Sequence, residues 1–562
     1  MGALTRRGVF LREATGLVRE MNAFDVLAMN SFNISAGLGL AFILFVGPSV
    51  FFSADIPVGV FLATLGGLSG AFAFALLTAM VPRSVSDYVL VTRTIHPSLG
   101  FATNWTWAFW NIVWAGILTS FVSNWAMYDL FAIYGTMYNA PVLYNLAYAP
   151  QLYTAPIDAS YPWTLFPQSS FLNILIGTII IAAFGIMLSV GPKVYLWFQR
   201  TVFVVGVFSL IVALGVMATT THQQFVTNWN SYASTWAYNP ADYDTVALQA
   251  GGSSRYIALF ATLGIIPVAS WSLAYGQVTT AVGGEIRRPN RNLPLGAAGS
   301  VLLAGLIMTL GAILFLNVVG KEFLSGSVNA YYNSLPTATN PTTSPWYGLF
   351  PAPYFDLWVS IAAPNPAITL IVGIGFISWI IYYPGLDCLV NTRAMLAWSF
   401  DRLGPAGLGK VSDKYHTPIR AVALFSFLNW IALVLFSLNF SLVGSLTATL
   451  AVFLTMFLFM GIVGLVFPFL RKTKPIFEAS PVKWKLGPVP LLTIFSFFWL
   501  VFLGVGTYYY LTEDYLYANK PIMLLISLIV FVAAFPVYFL VKAWRKSQGI
   551  DIGLAYAEIP PE

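Results

Sequence analysis

Runs of about 20 apolar residues, the length a helix needs to cross a bilayer, recur along almost the whole chain and leave room for little else. Twelve are readable, near 26 to 48, 58 to 80, 101 to 128, 171 to 190, 194 to 218, 256 to 286, 293 to 318, 366 to 390, 418 to 438, 443 to 468, 488 to 511 and 520 to 541. The expected fold is therefore an all-α polytopic membrane protein with 12 transmembrane helices. Composition agrees, since 58% of the residues are hydrophobic, 9% are charged and the mean hydropathy is +0.77, values outside the range of soluble globular chains. No large soluble domain is expected.

The net charge of +6 would suit a nucleic-acid partner in a soluble protein. Here the Lys and Arg residues flank the ends of apolar runs, so they read as an inside bias, and no nucleic-acid partner is expected. With both termini cytoplasmic, 24 of the 27 basic residues fall inside, and only Arg255, Lys321 and Lys520 fall outside. A miscounted span would invert every later loop and destroy that partition. The single cysteine, Cys388, excludes an internal disulfide framework. Residues 1 to 20 carry Arg6, Arg7, Arg12 and Arg19 without a short apolar core, so no removable signal peptide is expected. The long outer connections, 129 to 170, 219 to 255 and 319 to 365, read as caps; their shortage of Lys and Glu fits an acidic exterior.

The sixth run breaks its own rhythm. After Ile257 it meets Trp271-Ser272-Leu273-Ala274-Tyr275-Gly276-Gln277, then resumes and ends in Arg287-Arg288-Pro289. Backbone in hydrocarbon must satisfy itself unless it lines a cavity, so a glycine among polar side chains at mid-depth marks an interruption. Five spans precede it, and five is odd, so a second five-span unit would sit upside down relative to the first. The first run carries the matching break, Asn33-Ile34-Ser35-Ala36-Gly37-Leu38-Gly39. Paired breaks in corresponding positions of two halves point to a transporter's binding site.

These stretches resemble the amino acid/polyamine/organocation (APC) permease superfamily. The resemblance is carried by Asn33 to Gly39, by Val81-Pro82-Arg83-Ser84-Val85-Ser86-Asp87-Tyr88, by Gly283-Gly284-Glu285-Ile286-Arg287-Arg288-Pro289-Asn290-Arg291-Asn292-Leu293-Pro294, by Thr392 to Pro405, and by His416-Thr417-Pro418. It implies a LeuT-type 5+5 inverted repeat with discontinuous helices 1 and 6 and two C-terminal helices. The chain then divides into a cytoplasmic N-terminal segment (1–25), a first repeat (26–218), an inverted repeat (256–468), two trailing spans (488–541) and a cytoplasmic tail (542–562). Two departures stand out: Ser86 where the family usually has Gly, and Ser35-Ala36-Gly37 in place of Gly-Ser-Gly.

An amino acid is a zwitterion, and the two breaks offer complementary poles. Amides around Ser35, Ala36 and Gly37 suit a carboxylate, and carbonyls around Trp271, Ser272, Leu273 and Ala274 suit an ammonium. Gly37 and Gly39 permit close backbone approach. Asn111, Trp114, Tyr275, Gln277, Ser378 and Trp379 are the remaining pocket candidates, being near mid-depth with aromatic walls and polar groups. Asp129 and Asp387 are placed near span ends, which leaves no acid at pocket depth and favours a neutral cargo. Glu285 and Arg393 are the candidate cytoplasmic gate.

No cofactor is expected, and the coupling ion is open between H+ and Na+. Some proton-coupled relatives carry a Lys within span five, where this chain has Gly206 or a neighbour. The alternatives are sodium on span-one carbonyls and a hydroxyl such as Ser378, a proton on Asp387 or Asp129, or simple exchange. Gly404 to Lys410 fits most of a phosphate-binding loop but is followed by Val411 and preceded by no strand, so it reads as a turn. His96, His222 and His416 are too dispersed for a metal or catalytic cluster. The expected activity is secondary transport of amino acids across the plasma membrane, and no enzyme. The alternatives are a polyamine or organic-cation carrier, an exchanger, or a non-transporting nutrient sensor, with the oligomeric state left open.

Overall fold

The computed structural model describes residues 17, 19–138, 140, 142–143, 146–147, 168–235, 241–250, 257–334, 353–438, 450–516 and 518–556. Ten helices among them are long and apolar enough to cross a membrane: Ala23–Val50, Ile56–Met80, Phe171–Val190, Pro192–Thr219, Ala258–Ala281, Pro289–Val319, Pro366–Phe400, Ile419–Leu438, Leu491–Thr512 and Pro521–Ser547. The chain is an all-α polytopic membrane protein. Two expected spans lie outside that set. The third, Pro97–Phe121, is diluted by Trp, Asn and Thr; the tenth, Leu450–Val466, is short. Spans are numbered below as in the sequence.

Span 1 is two helices. The first, Ala23–Ile34, starts at a capping box in which the Asn22 side chain accepts from the amides of Phe24 (2.8 Å) and Asp25 (3.1 Å) while Asp25 accepts from the Asn22 amide (2.9 Å). It ends at Ser35, whose φ of 51° is left-handed, and Ala36–Val50 follows. Span 6 runs as an α-helix over Ala258–Leu273, loses its ladder at 274–277, and continues as short 3-10 turns over Val278–Ala281 and Gly283–Glu285. Each break is satisfied by the other. Asn33 Nδ2 donates to the Tyr275 carbonyl (2.8 Å), the Thr279 amide donates to Asn30 Oδ1 (3.0 Å), and the Ser272 hydroxyl donates to the Ile34 carbonyl. Buried backbone that leaves the helical ladder needs such partners.

Span 7, Pro289–Val319, packs along span 2 and the first half of span 1, while span 3 lies against spans 8 and 9. Span 8 is longer than the expected 366 to 390. It consists of Pro366–Ile381 and Tyr383–Phe400, joined at Tyr382. That extension corrects the placement of Asp387, which lies early in the second piece, 13 residues before its end at Phe400, and not near the end of the span.

The connections 219 to 255 and 319 to 365 hold helices where no periodicity was read: His222–Thr235, Tyr243–Ala247, Lys321–Ser334 and Phe355–Ala362. Their aromatic rings interlock, with Tyr243 stacked on Phe323 at 4.5 Å and Trp229 edge-on to Phe323 at 4.9 Å. Most of the connection 129 to 170 lies outside the described residues. The tail does more than trail. Ile552–Tyr556 folds back so that the Arg93 guanidinium lies 4.9 Å from the Tyr556 ring and bonds the Ala555 carbonyl (3.2 Å) and both Asp401 oxygens (2.8 and 2.9 Å).

Candidate functional site

A cavity opens where the two breaks face each other. Asn33, Ile34, Leu38 and Gly39 of span 1 line it, with Trp271 and Tyr275 of span 6, Trp107, Asn111, Trp114 and Leu118 of span 3, and Tyr383 and Asp387 of span 8. It measures about 30 Å³, room for about two waters. The walls must therefore part to admit an amino acid. Aromatic pairs close it: Trp114 stands 5.3 Å from Trp271, and Trp107 stacks on Tyr275 at 6.1 Å. The Tyr383 hydroxyl donates to the Asn33 carbonyl (3.1 Å), and Asn111 Nδ2 reaches Asn391 Oδ1 (3.3 Å).

Of the residues singled out from sequence, Gly39, Asn111, Trp114, Trp271 and Tyr275 line this cavity. Ser35, Ala36, Gly37, Ser272, Ala274, Gln277, Ser378 and Trp379 do not. Ser35 turns its hydroxyl to the Trp379 carbonyl (2.9 Å), and a Cβ on Gly37 would collide with the Trp379 indole. Ser272 is spent on the Ile34 carbonyl. The Ala274 amide closes the helix onto Ser270 (3.2 Å), Gln277 is buried beyond the turn, and Ser378 bonds its own helix at Ile374 (2.9 Å). Gly206 lies under the Trp379 ring and accepts its indole N–H (3.1 Å).

Asn33, Ile34 and Leu38 were read as part of the break and Asp387 as a proton site, none of them as pocket wall, and Trp107, Leu118 and Tyr383 were not singled out. A signal existed for two of them, since Trp107, Asn111, Trp114 and Leu118 recur at the spacing of one helix face. Asp387 corrects the expectation that no acid lies at pocket depth, and with it the ground for preferring a neutral cargo.

A family model described as amino acid permease matches residues 33–550. The chain belongs to the amino acid permease family. No curated protein matches it. As members of this family are transporters, the permease is a multi-pass transporter of amino acids or organic cations, within the APC superfamily.

On the side of the permease where the span 6 turns end, the backbone is clamped. The Glu285 carbonyl accepts from the amides of Glu20 (3.0 Å) and Met21 (3.1 Å), the Arg287 amide donates back to Met21 (2.9 Å), and Val85 donates to Ala281 (3.0 Å). Glu285 and Arg393 meet there as a buried bidentate pair. A second cavity beside them is lined by Glu20, Met21, Tyr195, Leu389 and others. Arg200 closes the neighbouring joint, holding both oxygens of buried Asp25 at 2.7 and 2.9 Å.

Proposed function

We propose that this permease is a secondary active carrier that moves amino acids across the plasma membrane by alternating access, with twelve spans and both termini cytoplasmic. One observation carries the reading: the two interrupted helices face each other across a cavity with aromatic walls. Half-helix ends give such a site its poles without a full complement of charged side chains. The amides opening Ala36–Val50 have no acceptor within their own helix, and the Ser35 hydroxyl does not cap them; Ala36 and Gly37 stand behind the closed cavity, and these amides suit a carboxylate once the walls part. The Glu285–Arg393 pair is the inner gate of this scheme, and the coupling ion is H+ or Na+.

A second reading, an organic-cation carrier, is favoured by the Asp387 carboxyl in the cavity wall. Uptake of labelled amino acids and amines into liposomes holding the full chain, under separately imposed proton and sodium gradients, separates the readings. Gradient-driven accumulation of an amino acid supports the first, and accumulation of amines alone supports the second. Binding without uptake points to a sensor.

A further inference from the structure

Asp387 is the one carboxyl in the cavity wall, and no Lys, Arg or His lines that wall. The residue is 4% exposed, and its Oδ2 has no hydrogen-bond partner among the described residues. The nearest cation along its helix, Arg393, is committed through Nε and a terminal nitrogen to Glu285. The elements packed against Asp387 offer no substitute. Span 3 (Pro97–Phe121) and span 4 (Gln168–Val190) carry no ionisable side chain, and Arg420 of span 9 lies at that helix's inner end. Asp25 on the first half of span 1 is already paired with Arg200. The titratable groups left facing Asp387 are tyrosines, Tyr383 and Tyr275 in the wall and Tyr195 from span 5, with Cys388 beside it.

A carboxylate so nearly excluded from solvent, with Oδ2 unpartnered and no cation beside it, is costly to keep ionised. It takes either a proton or a cation. The wall around it is built of Trp107, Trp114, Trp271, Tyr275 and Tyr383, whose ring faces attract an ammonium group and do little for a carboxylate. Charge and walls thus select the same substrate group.

We propose that Asp387 is the point at which a substrate ammonium group and a proton exclude each other, so that the permease exchanges one protonated amine for one proton. This rests on the reading of the cavity as the substrate site. In the empty carrier the group is Asp387–COOH. When R–NH3+ enters, the carboxyl gives its proton to water and the carboxylate pairs with the ammonium, so each amine bound releases one proton; release on the other face reverses the step. Exchange of a zwitterion for a proton moves one net charge per cycle, and exchange of a monoamine moves none. Below the midpoint of the carboxyl, affinity for the amine falls about tenfold per pH unit.

The test is calorimetry of the purified full chain between pH 5 and 8, in buffers of different ionisation enthalpy, which counts protons released on binding. The probes are phenylalanine, phenethylamine and 3-phenylpropanoate, and the corresponding leucine series. The expected result is a release approaching one proton for the amino acids and amines on the acid side, and none for the carboxylic acids. In Asp387→Asn that release disappears and affinity no longer varies with pH. Binding of amino acids by the wild-type chain without proton release, or release that persists in Asp387→Asn, overturns the proposal and leaves the carrier reading standing. Binding of none of the probes overturns both. The wild-type proton count decides even if the variant fails to fold.

Discussion

Arg393 grips both carboxylate oxygens of Glu285, through Nε at 2.7 Å and a terminal nitrogen at 3.1 Å, with both side chains nearly excluded from solvent. Removing one partner strands the other. Glu285→Ala should lower stability by about 3–5 kcal/mol, while Glu285→Ala combined with Arg393→Met, which leaves no buried charge, should recover most of it. Thermal unfolding in detergent reads the difference. If the pair is the inner gate, the double variant keeps substrate binding but loses gradient-driven accumulation in liposomes.

Gly37 has no room for a side chain against the Trp379 indole. Gly37→Val should push that ring off its bond to the Gly206 carbonyl and abolish uptake, at a packing cost of about 1–3 kcal/mol, with the protein still in the membrane. Trp379→Leu in the same chain should restore part of the stability. Undiminished uptake by Gly37→Val would show that the close approach is dispensable.

The carbonyls freed by the break in span 1 depend on two hydroxyls, Ser272 on Ile34 and Tyr383 on Asn33. Ser272→Ala should cost about 1–3 kcal/mol by leaving a buried carbonyl unsatisfied. Ser272→Thr, which keeps the donor, should cost less if the extra methyl is accommodated. Thermal midpoints of the two variants check the order, and equal midpoints would mean that water replaces the hydroxyl.

Buried Asp356 of the helix Phe355–Ala362 faces the carboxyl of Asp129. Burial raises the Asp356 carboxyl above its ordinary range, so the folded state holds a proton that the unfolded chain has lost. The sign follows by linkage: this contribution is whole below about pH 4 and is lost as pH rises towards neutrality. Protection of the amides in 355–362, taken relative to the intrinsic exchange rate at each pH, should be greatest in acid and fall as the pH is raised. Asp356→Asn should flatten that dependence.

The apolar runs and the two breaks were legible because hydrocarbon tolerates few alternatives: length, charge flanks and a polar interruption each have one physical meaning there. The face of span 3 was legible in principle from Trp107, Asn111, Trp114 and Leu118. Depth was not. The run on to Phe400 places the cavity-lining residues of span 8 at Tyr383 and Asp387, past Ser378, and no local pattern announces such a shift. Nor does sequence say which way a polar side chain in a break will turn. Ser35 and Ser272 look like ligand donors, yet the structure spends both on backbone carbonyls, because an interrupted helix must first satisfy itself.

The joint made by Arg93, Asp401 and the folded-back turn at Ile552–Tyr556 gathers groups 308 and 462 positions apart in the chain. It cannot close during synthesis until Pro521–Ser547 is inserted and the turn behind it has emerged. A chain stopped before Ile552 would carry Pro521–Ser547 and the helices before it yet leave Arg93 without the Tyr556 ring and the Ala555 carbonyl. The contact therefore records that synthesis has passed Tyr556, whatever else of the chain has already folded.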